Sequence, residues 1–96
     1  KRVNYKKVLQ VVSEFYDIKE EDLLASSRKK EIVEPRQVAM YILREDFKHS
    51  YPFIGRKFGG KDHTTIMYAC TKINKEVKEK DKLAEEIELI RYRISN

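Results

Sequence analysis

Residues 50–72 read SYPFIGRKFGGKDHTTIMYACTK, and this stretch decides the architecture. Gly59-Gly60 is the only glycine pair in the chain. It stops a short helix predicted over about 51–58 and permits positive φ in a tight turn. Asp62 suits the N-cap of the next helix. Ile66, Cys70, Ile73 and Val77, at i, i+4, i+7 and i+11, give that helix a core stripe running to about residue 79. A short helix, a glycine turn and a longer helix make a helix-turn-helix candidate at about 50–79. The second helix opens with Asp62, His63, Thr64 and Thr65, and His and Thr cost more there than alanine. Their use is therefore chemical. The second helix of such a motif presents its N-terminal residues to base edges in the major groove of DNA. A carboxylate accepts from cytosine N4, Thr donates or accepts and packs its methyl on thymine, and His offers a ring donor. The helix N-terminus and turn amides suit phosphate.

Upstream, residues 26–35 (SSRKKEIVEP) are polar, basic and without periodicity, and read as a loop over 26–34. Pro35 is placed at the first position of a helix that runs to about Phe47 and buries Val38, Ala39, Tyr41, Ile42 and Leu43. An arginine in such a loop, Arg28 ahead of Lys29 and Lys30, fits the narrow minor groove, where negative potential concentrates. Arg36 and Gln37, in the first turn of that helix, are apt for clamping phosphate, and Lys61 abuts the recognition helix. Further out, Val8, Val11, Val12 and Phe15 form one stripe of a helix over about 4–16, and Leu23 and Leu24 face inward from a short helix near 19–25. Leu83, Ile87, Ile90 and Ile94 give a last helix over about 82–95. The chain reads as all-α, with five or six helices, in one domain of 96 residues.

The charge distribution agrees. The net charge is +5, yet residues 1–27 and 73–96 are each balanced, and residues 28–72 carry ten basic against five acidic side chains. A basic surplus confined to one stretch is the footprint of a polyanion partner. No apolar run approaches the roughly 18 residues that span a bilayer, and the opening KRVNYKKVLQ has no signal-peptide core. That opening reads like the middle of a longer protein. A single cysteine, Cys70, allows neither an internal disulfide nor a thiolate metal cage, and fits the cytoplasm. His63 and Cys70 lie two turns apart, but two ligands do not make a metal site.

The segment GGKDHTTIMYACTKI is similar to the signature of the bacterial chromosomal replication initiator (DnaA) family, GGRDHTT followed by an alanine and Lys-Ile. IVEPRQVAMYILRE resembles that family's PRQ-AMYL helix, and IGRKFGG its IG-FGG segment. The resemblance spans about residues 3–96, the whole C-terminal DNA-binding domain. It implies a Trp-repressor-like helical fold that binds short asymmetric repeats, DnaA boxes, in double-stranded DNA at the replication origin, one box per protomer. It implies base contacts from Asp62, His63, Thr64 and Thr65 in the major groove, from Arg28 in the minor groove and from Pro52. It assigns backbone contacts to Lys30, Arg36, Gln37, Arg44, Ser50 and Lys61. ATP and Mg would belong to an ATPase domain outside this chain, which has no GxxxxGK[ST], and the longer protein would self-assemble on the origin. Three positions depart from the family pattern: Lys61 replaces the commoner Arg, Tyr51 an aliphatic residue, and Phe53 a polar one.

Two other classes compete. A helix-turn-helix transcription regulator would use the same chemistry, but as a dimer on a palindrome. A helical protein–protein adaptor would use the last amphipathic helix and show no salt-sensitive DNA affinity. An enzyme ranks behind both: adjacent Asp62, His63 and Thr64 point in different directions from a helix start and do not form a relay.

Overall fold

The computed structural model describes residues 4–96; Val3, where the family resemblance begins, lies outside them. Six helices and no strands occur among the described residues: α1 (Tyr5–Tyr16), α2 (Glu20–Leu24), α3 (Lys30–Glu45), α4 (Tyr51–Lys57), α5 (His63–Glu79) and α6 (Asp81–Ser95). The expected all-α class and the helix-turn-helix, α4–turn–α5, are both present.

Local chemistry sets the helix ends. The Asn4 side chain accepts from the Lys6 and Lys7 N–H groups at 2.9 and 3.2 Å, starting α1. Asp17 ends it in the left-handed region at φ 56°, and the Ile18 N–H closes on the Ser13 carbonyl at 2.9 Å. Ser50 caps α4 by accepting from the Phe53 N–H at 3.2 Å, which leaves Pro52 in the first turn, where no donor is needed. A single residue, Lys80, turns the chain from α5 into α6.

One hydrophobic core joins all six helices. Val8 and Val12 of α1, Leu23 of α2, Val38 and Ile42 of α3, Ile54 of α4, Ile66 and Ile73 of α5, and Ile90 of α6 have no solvent exposure. Full burial of each Val, Leu or Ile contributes roughly 1.5–3 kcal/mol of transfer free energy. α5 packs on both α3 and α4, and α6 closes the bundle over α1 and α5. Arg91 of α6 reaches the end of α3, donating to both carboxylate oxygens of Asp46 at 2.8 and 3.0 Å. Phe15, Leu24 and Val77, expected in the core, are half-buried at its margin, while Leu9 and Met40 join it.

One boundary differs from expectation. α3 begins at Lys30, five residues before Pro35, so the loop is only Ala25–Lys29 and Lys30 is a helical residue. The Lys29 carbonyl accepts from the Ile32 and Val33 N–H groups, both at 2.9 Å, and Ile32 and Pro35 are buried. Burial of Ile32 rewards the extra turn. Pro35 is tolerated inside the helix because the carbonyl it would have bonded is that of Glu31, at the exposed start of α3.

Candidate nucleic-acid interface

The α4–α5 turn is built on a close backbone approach. The Lys61 N–H donates to the Gly55 carbonyl at 2.9 Å, and a Cβ at position 55 would overlap the Lys61 carbonyl oxygen. Only glycine lets α4 lie this near the entry to α5. Gly59 and Gly60 both take φ +76°, which carries the chain round to Asp62.

Asp62 caps α5 as expected: its carboxylate accepts from the Thr64 N–H at 3.1 Å and from the Thr64 hydroxyl. The Thr64 hydroxyl first, then its N–H, hold the Asp62 carboxyl below its ordinary range. The His63 Nδ1 lies 3.7 Å from the same carboxylate. Asp62, His63, Thr64 and Thr65 are all exposed, so the tetrad stands free at the mouth of the helix. Met67 and Tyr68, 42% and 65% exposed, continue this open side of α5. Sequence reasoning passed over them, although both fall off the buried row of Ile66, Ala69, Cys70 and Ile73. His63 is open to solvent and Cys70 is buried, so the two share no accessible face.

The basic loop is fastened beside the turn. Arg28, Lys29 and Lys30 are exposed. Arg36 is not an open phosphate clamp in a first turn. It is buried at 7% exposure in the second turn of α3, where Nε donates to the Leu23 carbonyl at 3.1 Å and Nη2 to the Ser27 carbonyl at 2.7 Å. Lys61 also turns inward, its Nζ lying 3.1 Å from the Phe58 carbonyl and 3.4 Å from that of Ala25. Burial, then the nearby Arg36 guanidinium, push the Lys61 ammonium below its ordinary range, and burial alone lowers Arg36. Gly59 approaches the Leu24 carbonyl so closely that a Cβ there would sit at 3.2 Å. The loop therefore lies against the helix-turn-helix turn.

The remaining expected contact residues are placed as follows. Pro52 and Ser50 are exposed at the start of α4. Gln37 is half-buried and accepts from the Lys72 Nζ at 3.0 Å. Arg44 donates to the His49 carbonyl at 3.1 Å and stacks at 4.0 Å over Tyr51, so the unusual aromatic at 51 serves as its platform. Phe53 is a packing residue, stacked on His49 at 4.4 Å and edge-on to Tyr5 at 6.1 Å. Arg56, exposed in the last turn of α4, adds a cation that the sequence did not single out.

A glycine-hinged helix pair, an exposed polar tetrad on the second helix and a cationic loop held beside it define a DNA-binding helix-turn-helix domain. The family model described as "Bacterial dnaA protein helix-turn-helix" matches residues 5–73, and the chain belongs to that family. It is similar to the chromosomal replication initiator protein DnaA of Chloroflexus aurantiacus, with 47% identity over 98% of this chain and 20% of the relative. It is similar to the same protein of Brucella abortus, with 42% identity over all of this chain and 19% of the relative. A crystal structure of a DNA replication initiation factor superposes with a TM-score of 0.79 at 31% identity, over 94% of this chain and 28% of that one. The chain spans about a fifth of the length of the curated relatives it matches. No helix among the described residues is long and apolar enough to cross a membrane.

Proposed function

We propose that this domain binds short, asymmetric DnaA boxes in double-stranded DNA at a bacterial replication origin, one protomer per box. The observation that carries this reading is the free-standing tetrad Asp62-His63-Thr64-Thr65 at the start of α5, with the tethered Arg28 loop beside it. The start of α5 enters the major groove, where the tetrad reads base edges with Pro52 alongside, and Arg28 reaches the adjacent minor groove. Lys30, Gln37, Arg44 and Ser50 fix the register along the backbone, and the first α5 amides add helix-end attraction for phosphate. Replication initiation is the setting named by the curated relatives and the similar crystal structure. ATP and Mg chemistry and self-assembly on the origin belong to regions of the longer protein outside these residues.

The test is selection of bound sites from random duplex DNA with the 96-residue chain, followed by salt titration on the recovered site. The expected outcome is one non-palindromic box bound by one protomer. With about two cationic backbone contacts, Lys30 and Arg44, log K should fall against log salt with a slope near −1.8, since Gln37 and Ser50 are neutral and release no counterions. Recovery of no preferred duplex, or of a palindrome bound by two protomers, overturns the reading.

A further inference from the structure

Two cations, the buried Arg36 and the half-exposed Lys61, pair with no carboxylate among the described residues and face carbonyl oxygens in and around the Ala25–Lys29 loop. The Arg36 guanidinium bridges the Leu23 and Ser27 carbonyls, on either side of the bend that leads to Arg28. The Lys61 ammonium bridges the Ala25 carbonyl of the same loop and the Phe58 carbonyl of the helix-turn-helix turn. The two cations are close enough for Arg36 to disfavour the charged Lys61. Like charges placed together cost free energy, and the loop carbonyls are what offset it here. Gly59, without a side chain, lets the turn sit against the Leu24 carbonyl. Two side-chain contacts from two elements, on Ser27 and Ala25, therefore converge on a five-residue loop that has no helix or sheet ladder of its own, and Arg36 on Leu23 and Gly59 beside Leu24 hold the end of α2 that leads into it.

We propose that Arg36 and Lys61 are positioning residues, a two-point clasp that fixes the Arg28 loop relative to the start of α5 so that the two groove readings occur in one register. The proposal rests on the DNA-binding reading above and assigns to these two residues a role other than direct phosphate contact. Without the clasp, the loop would be an untethered arm that meets the minor groove over a range of offsets. Discrimination at the base pairs under Arg28 would then fall, while discrimination under the Asp62–Thr65 tetrad would persist.

The variant Arg36→Lys keeps the charge but removes the planar fork that spans two carbonyls. Lys61→Met removes the second bridge at a half-exposed position, and Lys61→Arg serves as the conservative rescue. Each is measured against every single-base-pair variant of the selected box, alone and combined with Arg28→Ala, with circular dichroism confirming the fold. Arg36→Lys and Lys61→Met should each lose about tenfold in discrimination at the positions that Arg28→Ala also affects, and nothing at the tetrad's positions. In the Arg28→Ala background neither should weaken binding further, because each acts through Arg28. Lys61→Arg should match the parent chain. In the free protein, backbone NMR order parameters of residues 25–29 should fall in both variants, with α1 and α5 unchanged.

Losses that multiply with Arg28→Ala would mean direct phosphate contact and overturn the clasp, and for Lys61→Met, which removes a charge, such contact would also flatten the salt slope by about one unit. Unchanged loop order parameters would also overturn the clasp. A parent chain that prefers no duplex refutes the underlying DNA reading instead, and the loop order parameters still judge the clasp independently.

Discussion

The Gly55 carbonyl accepts the Lys61 N–H at 2.9 Å, and the Lys61 carbonyl occupies the space that a side chain at 55 would need. This pair sets how closely α4 and α5 approach. Gly55→Ala should therefore cost about 2–3 kcal/mol, since backbone must move rather than a flexible side-chain tip. Gly60→Ala is the contrast: nothing lies within 4 Å of its added Cβ, and only the φ of +76° is strained. It should cost about 1 kcal/mol. Thermal or urea unfolding of both variants checks the order; equal losses would mean that the close approach is not what glycine at 55 provides.

How much of this was legible in the chain depends on where each signal lives. α5 and α6 were readable because their apolar rows are long, and α4 and α5 because a serine cap, a glycine pair and an aspartate cap mark their ends. The start of α3 was not. Its first turns offer Ile32 and little else apolar among charged residues, and a proline invited a later start. The tetrad was legible because costly helix formers stand together at a helix mouth. Arg36 and Gly55 were not, because both act on carbonyls distant in sequence or across a turn. A lone arginine or a helical glycine looks the same whether or not such a carbonyl faces it.

His63 should carry specificity rather than general affinity. It is exposed, and among the described residues the one charged group within ion-pair distance of it is the Asp62 carboxylate at 3.7 Å. His63→Ala should weaken binding to the selected box by about 1–3 kcal/mol and leave a scrambled duplex nearly unaffected. Competition titrations on both duplexes decide the matter. Equal weakening on the two would move His63 from base reading to backbone contact.

Asp62 links the cap to pH. Its carboxyl is held below the ordinary range by Thr64, so the folded chain binds that proton less readily than the unfolded chain. The cap's contribution is complete above the ordinary carboxylate range and disappears as pH falls through the lowered folded value. Asp62→Asn keeps a capping oxygen and cannot titrate. The parent chain should be the more stable at neutral pH, and its lead over Asp62→Asn should shrink in acid. Melting curves for the two chains from pH 7 down to pH 2 would show the convergence. A lead that stays constant across that range would remove Thr64 as the source of the shift.

Cys70 reports on the core that holds α5 in place. It is 5% exposed, its Sγ lies 3.7 Å from the Met40 carbonyl of α3, and burial pushes its thiol up to about 11. At pH 8 the thiolate, the reactive form, should be about a thousandth of the population. Little of that fraction is open to a reagent. Alkylation by iodoacetamide should therefore be negligible in the folded chain and complete in denaturant. Its residual rate should follow global unfolding, since α5 packs on both α3 and α4 and cannot open alone without exposing Ile66 and Ile73. Gly55→Ala, by lowering global stability, should raise that rate by the factor that its unfolding free energy dictates, about 30- to 150-fold for a 2–3 kcal/mol loss. A fast alkylation rate in the parent chain, independent of denaturant, would mean that α5 detaches locally, and a rigid recognition helix would then have to be abandoned.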